Sequence, residues 1–345
     1  MSMRSGTAPQ CSVIIRCFNE ERHIGRLLTG IVQQTVRDVE TIVVDSGSTD
    51  ATVSIASRYP ARIVHIRPEE FSFGRALNRG CEAASAEFLV PVSAHCYPLY
   101  KDWLEKLLRP FEDPKVALAY GRQRGNATTK FSEHQVFARW FGDVSNFDQG
   151  HPFCNNANAA VRRSVWAELR FDESLTGLED LDWAKRAMAL GYKIAYVADA
   201  DMVHVHDEKP GGTYNRYRRE ALAHKQIYPE QRFNLWDFVR LLAGNVVSDY
   251  AHAAQQRTFW RNVKSVFVFR LMQFWGTYRG FGQAGDVTNQ LKQTFYYPHG
   301  LLRNAAGAAV EDAGRRVEYS AVEEPRVEKA PVSEETVDWA VKQQM

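Results

Sequence analysis

Over the first hundred residues, short apolar runs alternate with stretches whose apolar positions recur at helical spacing. Ser12–Cys17 (SVIIRC) predicts a buried strand, and Glu20–Val32 a helix with Ile24, Leu27, Leu28 and Ile31 on one face. Glu40–Asp45 (ETIVVD) predicts a second strand, followed by a helix from Thr52. A third strand follows at Arg62–Ile66, a third helix at Phe73–Ala84 and a fourth strand at Glu87–Ser93. Strand and helix alternating at this interval predict an α/β domain with a mostly parallel central sheet flanked by helices. In such sheets ligands gather at the carboxyl ends of the strands. The polar residues lie there: Phe18, Asn19 and Glu20 after the first strand, Asp45 and Ser46 after the second, Ser93, Ala94 and His95 after the fourth.

Further along, strands are expected at Val116–Tyr120, Ala157–Arg162 and Tyr192–Val197, with a helix over Leu181–Leu190. The texture changes after Gly211-Gly212. Phe233–Tyr250 and Val263–Tyr278 carry Leu, Phe, Val, Trp and Tyr at helical spacing and predict two long helices. From Ala305 onward Ala, Gly, Glu, Val and Pro mix with weak periodicity, which reads as a loosely ordered tail. The chain therefore divides into a disordered N-terminus at 1–10, a body at 11–212, a helical extension at 213–304 and a flexible tail at 305–345. No internal repeat is visible.

Charge sharpens that division. The whole chain carries a net +2, which argues against nucleic acid as its main partner. Residues 213–304 hold 13 Lys/Arg against 5 Asp/Glu, while 305–345 hold 5 against 9, so a basic aromatic segment and an acidic tail adjoin a nearly neutral body. With 345 residues, 45% of them hydrophobic, a sizeable core can form, which excludes a disordered chain or a disulfide-stapled miniprotein. The five cysteines are odd in number and lack CxxC spacing, so reduced thiols in a cytoplasmic protein are expected. No apolar run precedes Cys11, so no signal peptide is expected, and no stretch approaches the ~20 apolar residues that cross a bilayer.

Several familiar chemistries lose their support. There is no GxGxxG after the first strand, no GxxxxGK[ST] and no GxSxG elbow. What is present is an ordered series: VIIRCFNEERHIGRLLTGIVQQT, TIVVDSGSTDAT, FGRALNRGCEAASAEFLVPVSAHCYP, HPFCNNANAAVRR and GLEDLDWAKRAMALGYKIAYVADADMVHVH. Together and in this order, over residues 12–206, these segments resemble the family-2 glycosyltransferases. The resemblance implies the GT-A fold and transfer of a sugar from a nucleotide-diphospho-sugar to an acceptor hydroxyl.

It also implies roles. Asp45 takes the place of the residue that accepts the base N–H of a pyrimidine nucleotide, although an Asx-turn would use the same carboxylate; Asp50 suits helix capping better. Phe18, Asn19, Glu20, Ser46, Ser93 and Ala94 line the same donor rim. Arg75 and Asn78, one helical turn apart, are placed to meet the diphosphate and the nucleotide or sugar. Most of the family holds Mn2+ or Mg2+ on an Asp-X-Asp motif, which here reads Ser93-Ala94-His95. Imidazole can still ligate a divalent metal, so His95 with His204 or His206 is the expected set. An ionised acid is needed to take the acceptor proton. The resemblance assigns that base to Asp180, with Glu179 as helper and inversion as the outcome. Asn155 and Asn156 fall on the acceptor side.

The basic aromatic extension, with Trp260, Arg261, Lys264 and Arg270, fits an anionic membrane surface on the cytoplasmic side, as a lipid-linked saccharide acceptor would require. A helical subdomain or a homo-oligomer contact would use the same pattern. Loss of the two metal acids also leaves open a non-catalytic sugar-nucleotide binder or scaffold. Nucleotidyl transfer is disfavoured because FNEERHIG is acidic where a phosphate loop would be basic and glycine-rich.

Overall fold

The structure is a computed structural model that describes residues 9–283. The expectations for residues 1–8, for 284–304 and for the acidic tail at 305–345 lie outside the described residues. Strands β1 (Cys11–Cys17), β2 (Val39–Asp45), β3 (Arg62–His65) and β4 (Phe88–Ser93) pair in parallel, linked by α1 (Ile24–Val32), α2 (Thr52–Ala56) and α3 (Phe73–Ala83). The chain continues through β5 (Cys96–Pro98), α4 (Trp103–Leu108), β6 (Val116–Arg124), α5 (Phe131–Trp140), β7 (Ala159–Arg162), α6 (Arg163–Glu168), α7 (Glu179–Ala189) and β8 (Lys193–His204). The eight strands form one sheet in the order β3-β2-β1-β4-β7-β6-β8-β5, with β7 and β5 antiparallel to their neighbours.

Period-2 alternation explains why both faces are covered. In β1, Val13 and Ile15 pack with Leu27, Leu28 and Ile31 of α1 and with Trp103 and Leu107 of α4. Ile14 points the other way, into a second core with Leu77 and Cys81 of α3 and with Trp166 and Trp183. Burial on both faces is why this strand reads as an unbroken apolar run. Its exception is Arg16, the one residue of β1 not buried. The five cysteines are buried and unpaired.

Two details shape the sheet's carboxyl edge. The first helix starts at Ile24 rather than Glu20, because Asn19 takes a left-handed backbone (φ 54) and the next residues are tied to the loop after β2. There Glu20 donates its N–H to Thr52 Oγ1 at 2.7 Å and Glu21 donates to Asp50 Oδ2 at 3.1 Å. Second, β8 runs well past the expected Val197. The β6–β8 register jumps from Gly121↔Val197 to Gln123↔Met202, so four residues of β8 bulge opposite Arg122. A Cβ on Gly121 would lie 2.2 Å from the Ala200 carbonyl, so only glycine admits this bulge. Asn158 fastens it by donating to the carbonyls of Arg122 (2.9 Å) and Ala200 (2.8 Å). Beyond the bulge β8 pairs with β5 and ends at His204.

Three helices follow: α8 (Pro210–Ile227), α9 (Leu235–Gln255) and α10 (Phe259–Phe281). An Asn234/Asp237 capping box starts α9. Gly276 and Gly280 let α10 lie against α8; Cβ atoms there would approach the carbonyls of Tyr214 and Arg218 to 2.5 and 2.6 Å. Arg270 is corrected by its surroundings. It is 4% exposed and holds Asp249 through two hydrogen bonds of 2.7 and 2.9 Å, so it faces the interior, not a membrane. It also donates to the Ser132 carbonyl, which ties α9 and α10 to α5. Among the described residues no helix is long and apolar enough to cross a membrane.

Breaking one side of a buried ion pair leaves an uncompensated charge and costs about 3–5 kcal/mol. Asp249→Ala is therefore expected to lower unfolding free energy by about that amount in denaturant titration. A loss below about 1 kcal/mol would mean that the pair is not what secures these helices.

Candidate active site

A cleft of about 700 Å³ opens at the carboxyl ends of β1 and β4 and is closed on its far side by α8. Three imidazoles meet in it. The β5–β8 ladder sets Cys96 opposite His204, and Val205 donates its N–H to the His95 carbonyl at 3.1 Å, so the residues flanking Cys96 and Val205 become neighbours. The ring centroids of His95 and His204 are 5.0 Å apart, those of His204 and His206 4.0 Å. One ring nitrogen from each of the three histidines lies within 4.8 Å of the others.

Each imidazole is held from behind through Nδ1, which donates to Glu20 Oε1, Gln123 Oε1 and Glu133 Oε1 respectively, all at 2.7 Å. That pattern leaves the three Nε2 lone pairs for a common ligand. His204 Nε2 is buried with no hydrogen-bond partner, the kind of orphan a metal would satisfy. Burial, then the neighbouring imidazoles, holds the pKa of His204 well below the usual value. Burial and Arg216 do the same to His206, so both rings are neutral and able to ligate. Burial opposes protonation of His95 too, but the Glu20 carboxylate outweighs it and its pKa is raised. These residues fit a divalent cation.

Across the cleft, Glu179 and Asp180 open α7 directly after Leu178, a non-glycine residue held in the left-handed region (φ 55). Such a conformation costs on the order of 1–3 kcal/mol and persists only where packing enforces it. Both carboxylates are buried. Asp180 accepts the backbone N–H groups of Asn156 (3.0 Å) and Leu181 (2.8 Å). Burial and then the adjacent Glu179 charge push its carboxyl up to about 7. Arg16 pairs with Glu179 at 2.9 Å and lies 4.9 Å from the Phe73 ring. Asn156 is buried, with its Oδ1 unpartnered at the cleft wall. Asp182 instead pairs with Arg186 along the helix surface.

Among the expected residues, Asn19, Glu20, Ser93, His95, Asn155, Asn156, Glu179, Asp180, His204 and His206 line this one cleft. Phe18, Asp45, Ser46, Arg75, Asn78 and Ala94 do not. Asp45 is buried and accepts the N–H groups of Gly47 and Ser48, the Asx-turn alternative. Ser46 hydrogen-bonds the Cys17 carbonyl and Ala94 is buried beneath β1. Asn78 is also corrected: its amide is fully occupied, donating to Phe171 O and Glu173 Oε1 and accepting from Trp166 Nε1 and Phe171 N. Arg75 faces Glu70 and Glu173 at 3.7 and 3.9 Å. Sequence reasoning missed Arg16, Gln123, Glu133, Arg216 and Arg219 in the lining. Arg16 alone left a signal, as a charge within an apolar strand.

The sequence pattern described as Glycosyl transferase family 2 matches residues 12–170. The O-antigen chain rhamnosyltransferase RfbN of Salmonella typhimurium is 30% identical over 227 residues, 62% of this chain and 72% of that protein. The O-antigen chain rhamnosyltransferase WbaN of Salmonella anatum is 33% identical over 205 residues; the match spans 56% of this chain and 64% of WbaN, just under two thirds of its length. The chain belongs to glycosyl transferase family 2. In fold it is similar to a mannosyltransferase from Pyrobaculum calidifontis solved with GDP-Man and Mn2+, with a TM-score of 0.57 and 18% identity over 80% of this chain and 88% of that one.

If Asn78 serves packing, Asn78→Ala strands two buried donors, the Trp166 indole and the Phe171 amide, and is expected to cost more than about 2 kcal/mol. Nucleotide affinity of the folded fraction, measured by calorimetry, should stay within about threefold. A large affinity loss at unchanged stability would restore Asn78 to the donor site.

Proposed function

We propose that this chain is an inverting transferase that moves a sugar from a nucleotide-diphospho-sugar to a hydroxyl of a saccharide or lipid-linked acceptor, in surface polysaccharide assembly. The O-antigen rhamnosyltransferases among its relatives support that setting. The observation that carries the reading is Asp180. It is a buried carboxyl tuned to about 7, in the same cleft as a three-imidazole cluster. A base with that pKa is ionised near neutral pH and still basic enough to take a proton from an attacking hydroxyl. Asn156 Oδ1 beside it supplies an acceptor for a second sugar hydroxyl.

Charge argues for a cation at the other end. Nine carboxyl side chains and four guanidiniums line the cleft. A diphosphate entering that field needs countercharge that the arginines alone do not provide. His95, His204 and His206 would hold a divalent ion, and such an ion would offset the charge that builds on the departing diphosphate. Arg16 keeps Glu179 paired, so the ionised base beside it faces one fewer free negative charge.

The outer face of α9 and α10 supports attachment to an anionic membrane at its cytoplasmic side. Trp236 is 70% exposed and Trp260 86%, with Phe267, Arg261 and Lys264 also exposed. Indole rings with cations alongside suit the headgroup layer.

Asp180→Asn is expected to lower kcat by about 10²–10⁴-fold. Near-normal transfer by that variant would remove Asp180 as base, and donor binding without any transfer by the native chain would favour a scaffold. Because the base works ionised, kcat/KM should fall as pH drops through about 7, an acid limb belonging to the Glu179–Asp180 pair. A flat profile from pH 5 to 8 would contradict it. The product's anomeric configuration, read by NMR, should be opposite to the donor's. Sedimentation with phosphatidylglycerol vesicles should fall at least tenfold in a Trp236→Ala/Trp260→Ala variant. Dimerisation through that face without vesicle binding would instead make it a subunit contact.

A further inference from the structure

The family-2 resemblance places its ion on carboxylate oxygens, and this cleft presents none of those two acids. What it presents is three nitrogens. We propose that His95, His204 and His206 form a resident centre for a late first-row transition ion of the Co2+, Ni2+ or Zn2+ class, bound through imidazole alone and held before any nucleotide arrives. The inference rests on reading the cleft as the donor site but concerns only which ion it takes and when.

The donor set decides the ion. Mg2+ is hard, prefers oxygen and dehydrates reluctantly, whereas imidazole suits the later transition ions, whose affinities rise along the series toward copper. An oxygen-ligand site can wait for the nucleotide to supply half the coordination shell. A three-nitrogen site supplies a facing set by itself, as a catalytic centre with positions left for substrate does.

The surroundings are built for that task. The three imidazoles come from two chain segments, the β4–β5 link and the end of β8, and each is oriented through Nδ1 by a separate outer acceptor: Glu20 after β1, Gln123 on β6 and Glu133 on α5. Outer partners of this kind fix tautomer and ring direction and raise ligand basicity. Two of those three acceptors are themselves buried, and Arg216 holds Glu133 in place at 2.7 Å. The inner nitrogen of His204 has nothing to bond within the protein. Three rings oriented at this expense of polar contacts, converging with an unsatisfied nitrogen, describe a ligand site better than a packing cluster.

The test uses the full chain without an affinity His tag, stripped with chelator and titrated with Co2+ in the absence of nucleotide. One equivalent should bind, with visible d–d absorption and a calorimetric endpoint at 1:1, and hundredfold excess Mg2+ should not displace it. His204→Ala and His206→Ala should weaken Co2+ binding at least 100-fold, and Glu133→Gln about tenfold or more. Circular dichroism identifies any variant that has unfolded, in which case His95→Gln replaces it. Failure to bind Co2+ without nucleotide, or displacement by Mg2+, overturns the proposal even if sugar transfer proceeds. Tight, histidine-dependent Co2+ binding in a chain that transfers no sugar sustains it and sinks the transferase reading instead.

Discussion

Three residues of antiparallel pairing hold the chemistry of this cleft together. β5 is only Cys96–Pro98, yet its ladder with the end of β8 is what sets His95 beside His204 and His206. The residues are separated by more than a hundred positions, and no local preference joins them. The pairing in turn depends on the bulge in β8, which shifts the register so that the strand reaches β5 at all. Gly121 makes room for that bulge and Asn158 clips it, with Trp103 donating to the same Asn158 side chain at 2.9 Å. A helix of the core thus reaches, through one amide, into the placement of the histidine-bearing edge.

Electrostatics in the cleft follows from burial more than from pairing. Asp180 sits at the start of a helix, where the dipole favours negative charge, and still its carboxyl is raised, because desolvation and Glu179 prevail. The His204 and His206 imidazoles are driven neutral by the same desolvation. The cleft therefore presents Asp180, His204 and His206 in unprotonated or readily deprotonated forms, while Arg16, Arg216 and Arg219 offset the charge of its acids. The opposing signs are interleaved, and what remains is a negative field suited to a cation.

Much of this fold was legible. The buried runs of β1, β2 and β4 and the four-residue stripe of α1 announce themselves, because each is covered on both faces or presents one clean apolar face. β5 is too short to carry a period, and α5 carries Ser132, Glu133, Gln135 and Arg139 among its apolar residues, so neither was expected. Yet Glu133 in α5 orients His206. Asp180, Glu179 and the three histidines could be picked out as candidates because the family's motifs mark their places in the chain. The buried partners of Asn78 and Arg270 were not legible, for one shared reason. A polar residue at helical spacing looks the same whether it faces water or a buried partner, and only Trp166 and Phe171, or Asp249, decide which. Likewise α8 belongs with the cleft wall although the charge pattern assigned most of it to an appended segment.

The close contact of α10 with α8 through Gly276 and Gly280 has a mechanical corollary. Backbone rests on backbone there, with no side-chain cushion to absorb displacement, so the two helices behave as a single stiff strut. One end of that strut carries the exposed Trp260, and its other member carries Arg216 and Arg219 at the mouth of the cleft. A displacement of α10 is therefore passed on to α8, and the exposed Trp260 is joined mechanically to the guanidiniums at the cleft mouth.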